Sequence, residues 1–221
     1  MKKFVSNLYF DDKNKLVCKG KNGKSCPVFK KQGSLDGACA TYSVVMNLLI
    51  LGVISDTDTR ISVEHKNKDV KKLFKVFCND YGMHRDGQTF YKIRRMLMES
   101  FGKVVDVEHT NTKEGGWKSL DNIASTIDSG IPVIISVSNQ IIRLCHAMLA
   151  VGYEKNGEDI TRIFLLDPSG DYINVKKRWN AVIEVSDKSK RPFKYNTVTE
   201  GVPDSQSVDL DDILIIRRLQ E

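Results

Sequence analysis

No stretch of this sequence is long and apolar enough to cross a membrane as a helix. After Lys2 and Lys3, the apolar run FVSNLYF is broken at Ser6 and Asn7 and stopped by Asp11 and Asp12, so no secretory signal is read there. A cytoplasmic location is expected, although an effector exported without such a signal would read alike. Cysteine is sparse and unpatterned. The five residues, at positions 18, 26, 39, 78 and 145, are odd in number and include no CxxC pair, which argues against a disulfide framework. Cys18 and Cys26 bracket a short loop that a metal or a disulfide could close, but nothing nearby supplies two further zinc ligands. Acidic residues are scarce at the start, where nine lysines before Gln32 face only Asp11 and Asp12. Neither Arg nor aromatic residues interleave with those lysines at a repeating spacing, so a solvated face is expected and nucleic acid is not the expected partner. Internal repeats and low-complexity segments are also missing.

What is present is enough for a full core. The 221 residues are 41% hydrophobic and carry a net charge of +6, which suits a single domain over 1–221. Residues 1–102 read as mainly helical after a basic pair of strands at 3–10 and 14–18, and 103–221 as mainly β. The loop GKNGKS from Gly20 to Ser25 resembles part of a phosphate-binding loop, but Cys18 stands where that motif needs glycine and Cys26-Pro27 follows instead of a helix. It reads as an exposed basic turn. An apolar helix is predicted from Ala38 to Leu51, stopped by Gly52. Amphipathic helices are predicted over 68–81, with Val70, Leu73, Phe74 and Phe77 inward, and after Asp86-Gly87, with Phe90, Ile93, Leu97 and Phe101 inward. Cys78 reads as core, and His65 and His84 as surface residues of polar turns. Beyond them come a strand over 103–109, a helix over 117–128, a buried strand over 131–137, and strands near 171–175, 181–185, 194–199 and 213–217. The run 186–191 and the loop 200–207 read as excursions.

Two stretches carry chemistry. Cys39 falls in the first turn of its helix, where unpaired backbone N–H groups and the positive end of the dipole favour thiolate. If Asp36 caps that helix, Cys39 is its third residue, and the Asp36 charge partly opposes the effect. A helical cysteine is ordinarily inert core, so partners decide. The second stretch runs from Cys145 to Gly170, where two β-prone runs flank Asn156-Gly157, the dipeptide of a tight hairpin. A two-residue turn there pairs Lys155 with Glu158 and sets His146 opposite Asp167, on one face and within hydrogen-bond reach. A bulge would shift this register. Asp167 would then orient and charge the His146 imidazole, leaving its other nitrogen for Cys39.

Gln32-Gly33-Ser34 and Gly37-Ala38-Cys39-Ala40-Thr41-Tyr42-Ser43 resemble the glutamine and nucleophile segment of papain-like cysteine proteases. His146-Ala147-Met148 through Val151-Gly152-Tyr153, with Leu166-Asp167-Pro168 and the preceding Leu120 to Val137, is similar to the bacteriocin-processing, C39-like branch of that clan. The resemblance runs from about Gln32 to Gly170. It implies an α+β, papain-like fold with an N-terminal helical lobe packed on a C-terminal antiparallel β lobe and the active site between them. It also implies Cys39 as nucleophile, His146 as general base and acid, Asp167 as the orienting residue and Gln32 as an oxyanion donor beside the Cys39 N–H. The expected activity is peptide-bond hydrolysis through an acyl-enzyme, on a protein or peptide substrate, with no metal or organic cofactor and no membrane insertion. The same residues would serve glutamine deamidation, transglutamination or acyl transfer to an amine. A non-enzymatic interaction module using the basic edge is the third possibility.

Overall fold

The molecule is described by a computed structural model covering residues 1–33, 37–60, 67–77, 88–112, 118–139, 141–171, 177–185 and 194–219. Its longest strands, β7 (Leu144–Asn156) and β11 (Gln206–Arg218), organise the main sheet. Between and around them run β6 (Val133–Asn139), β8 (Asp159–Leu166), β9 (Ala181–Val185) and β10 (Tyr195–Thr199). Successive antiparallel pairings from β6 through β11, and of β11 back onto β6, close these six strands into a ring. Closure leaves no open edge within the ring. Its interior is the apolar set expected of strands buried on both faces, with Ile135, Met148, Ala150, Leu165, Ile183 and Ile213 each nearly inaccessible. Two further strands add to the long ones, β1 (Lys2–Phe4) on β7 and β5 (Val105–Asn111) on β11. Gly152 makes the first possible: a Cβ there would lie 2.4 Å from the Phe4 ring and 2.7 Å from the Lys3 carbonyl.

The expected strand over 3–10 is divided. Leu8 N–H bonds back to Val5 O, and Asn7 Nδ2 donates to Ile50 O (2.7 Å) and Lys19 O (3.2 Å), which turns the chain. The first half joins the large sheet. The second, β2 (Leu8–Phe10), starts a separate three-stranded sheet with β3 (Leu16–Lys19) and β4 (Ser25–Pro27). The GKNGKS segment is the β3–β4 turn, with Gly23 at φ +72.

Helix α1 (Cys39–Ile50) follows, apolar on nearly every side and packed against β7 and β6. Gly52, at φ +65, ends it in the left-handed conformation that glycine adopts without strain. Two polar residues inside α1 are fully buried: Ser43 Oγ donates to Ala147 O (3.3 Å) and Asn47 Nδ2 to Pro132 O (3.0 Å). They fix the height of α1 against the ring. Asn47→Ala leaves the Pro132 carbonyl unpaired and is expected to lower stability by about 1–3 kcal/mol, read as a reduced midpoint in thermal or urea unfolding.

Three more α-helices of at least eight residues lie among the described residues: α2 (Lys68–Lys75), α3 (Phe90–Phe101) and α4 (Lys118–Asp128). Helix α2 packs on α3, α3 on β5 and β11, and α4 on β7, β6 and β1. Their inward faces carry the residues that periodicity indicates, with Met96 added to the α3 set. Helix α2 ends in α-form at Lys75, short of the expected Tyr81; residues 76–77 continue it with a wider turn, and the rest lies outside the described residues. So do His65, His84, Cys78, residues 172–175 and residues 186–191. The expected loop over 200–207 is shorter, because β11 begins at Gln206 to pair with Thr197 of β10. Among the described residues, no helix is long and apolar enough to cross a membrane.

Candidate active site

Strand β7 carries His146 near its start, and β8 delivers Asp167 just past its end. Their hairpin does not have the expected register. The two turn residues are Gly157 and Glu158, not Asn156 and Gly157, and Asn156 faces Asp159. Irregularities at 150–152 and 154–155 then shift the ladder by one residue and back. Leu149 faces Leu166, so His146 and Asp167 are diagonal rather than directly opposed. The displacement is even, however, and side chains alternate with period two, so both stay on one face. A diagonal pair lies within reach of a long side chain. His146 Nε2 and Asp167 Oδ1 are 2.6 Å apart, the imidazole N–H donating to a carboxylate that is 2% exposed as a residue.

Cys39 reaches the same place from α1. Ala38 is the N-cap, with no side-chain cap bond, so Cys39 is the first helical residue and not the third. Asp36 lies outside the described residues, and the first turn of α1 contains no acidic side chain. The positive end of the helix dipole is therefore not offset within that turn. The Ala147 N–H, next to His146, donates to Cys39 Sγ at 3.4 Å. Since Nε2 of His146 is taken by Asp167, Nδ1 is the nitrogen left for the thiol.

The electrostatics follow from burial and these contacts. Burial alone would raise the Cys39 thiol, but the hydrogen bond and charge of His146, with the N–H groups of Ala147 and Ala40, carry it below the ordinary cysteine value. Burial likewise opposes charge on His146, yet Asp167 and Cys39 push the imidazole up to about 10. Burial would raise Asp167 too, and His146 and Ser169 more than offset it, holding the carboxyl below its usual range. The favoured state is thiolate, imidazolium and carboxylate in sequence.

Gln32 borders the same cavity of about 260 Å³ as His146, Asp167 and Ser169. Its backbone N–H donates to Pro168 O (2.9 Å), and its buried Oε1 has no hydrogen-bond partner among the described residues. The cavity opens at one end of the ring, where Leu144, His146 and Met148, alternate residues of β7, share a face with Thr197 and Thr199 of β10.

The sequence profile of the Peptidase_C39 like family matches residues 27–189, nearly three quarters of the chain. This chain belongs to that family. No curated protein matches it. Membership supports a peptidase acting on protein or peptide substrates, and the mixed α/β architecture fits the papain-like fold of such C39-like proteins. The matched span takes in Gln32, Cys39, His146 and Asp167.

In this C39-like chain, the residues that hold Asp167 are not among those its sequence pattern singles out. Ser169 donates to Asp167 Oδ1 through both its backbone N–H (2.8 Å) and its hydroxyl (2.7 Å), and the hydroxyl lies 3.4 Å from His146 Nε2. Thr199 Oγ1 donates to Asp167 Oδ2 (2.9 Å). Asn180, 1% exposed, brackets the backbone: the Asp167 N–H donates to its Oδ1 (2.7 Å) and its Nδ2 donates to Asp167 O (2.8 Å). The Asp-Pro-Ser-Gly turn was a readable signal for Ser169, because an aspartate commonly bonds the N–H two residues on. Nothing local marks Asn180 or Thr199. Thr199→Val removes one donor from a buried carboxylate and is expected to raise the Asp167 pKa. An NMR titration of the Asp167 carboxyl in the wild type and the variant checks this. Among the described residues, no group of three or more His, Cys, Asp or Glu side chains gathers as a metal site.

Proposed function

We propose that the protein is a cysteine peptidase that cleaves peptide bonds through Cys39, His146 and Asp167, in a papain-like arrangement with the cleft between the start of α1 and the mouth of the ring. The observation that carries this reading is the 2.6 Å contact of His146 Nε2 with buried Asp167, which leaves Nδ1 for a thiol at a helix N-terminus. Cys39 thiolate attacks the substrate carbonyl, and the oxyanion is held by the Cys39 backbone N–H and the Gln32 side chain. His146 imidazolium gives its proton to the leaving amine, and the acyl-enzyme remains. Water then enters, gives its proton to His146 and attacks the thioester, releasing the acid and restoring the thiol pair.

The test is incubation with a peptide library followed by mass spectrometry, wild type against Cys39→Ala. New cleavage products dependent on Cys39 are the expected result. Uncleaved peptides about 1 Da heavier would instead indicate deamidation, a different fate of the same acyl-enzyme. An unchanged library with both proteins contradicts the peptidase reading. Gln32→Ala is expected to lower kcat by about 10²–10³-fold with little change in KM, because the lost donor acts on the developing oxyanion. Steady-state kinetics on a cleaved peptide measure this.

A further inference from the structure

Away from this site, the three-stranded sheet brings two more thiols together. Cys18 and Cys26 are directly opposed on antiparallel β3 and β4, with Sγ atoms 3.3 Å apart. The Gly20 N–H bond to Lys24 O and the Val28 N–H bond to Leu16 O flank this pair at two-residue steps. That periodicity makes 18/26 a hydrogen-bonded pair, with Cα atoms about 5.5 Å apart, a span that suits a disulfide. Cys18 is inaccessible, and its thiol donates to Leu49 O near the end of α1 (3.3 Å). Cys26 is 7% exposed. Gly20 leaves its sulfur room, since a Cβ there would come within 3.1 Å.

The two thiols differ in access. Cys26, 7% exposed, is the sulfur that a small disulfide in solution can reach. Cys18 is fully buried, its proton directed at Leu49 O and its sulfur in contact with Cys26. Cys26 is placed to attack and Cys18 to resolve.

We propose that Cys18 and Cys26 form a reversible disulfide, Cys26 attacking and Cys18 resolving, with a small disulfide such as oxidised glutathione as the oxidant. Cys26 thiolate attacks one glutathione sulfur, forming a mixed disulfide and releasing one glutathione thiolate. Cys18 gives up its proton to that thiolate and attacks the Cys26 sulfur, releasing the second glutathione. Two thiols are oxidised and one glutathione disulfide is reduced to two thiols. Closure brings the sulfurs from 3.3 Å to about 2.0 Å, within one hairpin. The bridge leaves Cys39 as a thiol and pins β4, the strand from which the chain runs to Gln32. The pair would be open in a reducing compartment and closed in an oxidising one.

The test is equilibration of the wild-type protein in glutathione buffers of increasing oxidised fraction, alkylation of remaining thiols, and peptide mass spectrometry. A species about 2 Da lighter, linked 18 to 26 and reopened by dithiothreitol, is the expected result. In Cys18→Ser, the resolving thiol is gone and Cys26 should retain glutathione, about 305 Da heavier. The proposal is overturned if both cysteines stay alkylatable at every ratio, if the wild type stops at the glutathione adduct, or if either cysteine bridges elsewhere.

Discussion

Cys39→Ala is expected to lower the hydrolysis rate by about 10⁵-fold or more while leaving the fold intact. The size follows from what the sulfur does. It is the only protein atom that bonds covalently to the substrate carbonyl carbon in the proposed reaction, and alanine offers no electron pair to replace it. Cooperating catalytic groups are strongly non-additive, so loss of the nucleophile removes nearly the whole contribution of the set. The residual rate would come from the oxyanion donors and from binding. Stability should change little, within about 1 kcal/mol, because Cys39 is partly exposed at the helix start and is not its N-cap. Steady-state assay of a cleaved peptide, with far-UV circular dichroism and a thermal melt, separates the two effects. A variant that keeps hydrolysing at a comparable rate removes Cys39 from the chemistry.

His146→Ala has the second largest expected effect, about 10⁴-fold or more in kcat, and it changes the pH profile as well as the rate. In the wild type, activity should rise as Cys39 loses its proton below the ordinary cysteine range and fall near pH 10, where the His146 imidazolium deprotonates and no longer supplies the leaving amine. The sign on each side is fixed by the ion pair: acid protonates the thiolate, base neutralises the imidazolium. Without His146 both limbs change. The thiol loses the partner that lowers it while burial still raises it, so any residual activity should increase with pH up to the ordinary thiol range or beyond. A pH-rate series on both proteins checks this. His109 provides an internal control. Its Nε2 lies 2.9 Å from Asp212 Oδ1, a similar contact between β5 and β11, yet the proposed mechanism gives it no part. His109→Ala should leave the shape of the profile unchanged.

The parts of this site legible in the sequence are those whose determinants are local. A helix stopped by Gly52 and begun near Cys39 follows from apolar content and one left-handed glycine. The common face of His146 and Asp167 follows from period-two alternation, and that parity survives a register that is wrong by an even number. What was not legible depends on chain segments far apart. Closure of β6 to β11 into a ring requires β11 to reach both β10 and β6, and strand propensity carries no information on partners. Asn180 and Thr199 reach Asp167 only because β9 folds back beside β8 and β10 beside β9. The division of residues 3–10 turns on Asn7, whose two carbonyl partners, Lys19 and Ile50, lie in β3 and at the end of α1. The meeting of Cys18 and Cys26 needed only the β3–β4 turn, and the glycines at 20 and 23 in the loop between them mark that hairpin.

The proposed mechanism requires Cys39 and His146 to behave as one thiolate–imidazolium pair, and the alkylation rate of Cys39 measures that pair directly. Iodoacetamide labelling between pH 4 and 9, resolved by peptide mass spectrometry, should show Cys39 reacting at lower pH than an ordinary thiol and ahead of the other cysteines in the wild type. In His146→Ala that acid reactivity should vanish, leaving a rate that follows an ordinary or raised thiol. A Cys39 that titrates the same way in both proteins would contradict the pairing, and with it the proposed mechanism.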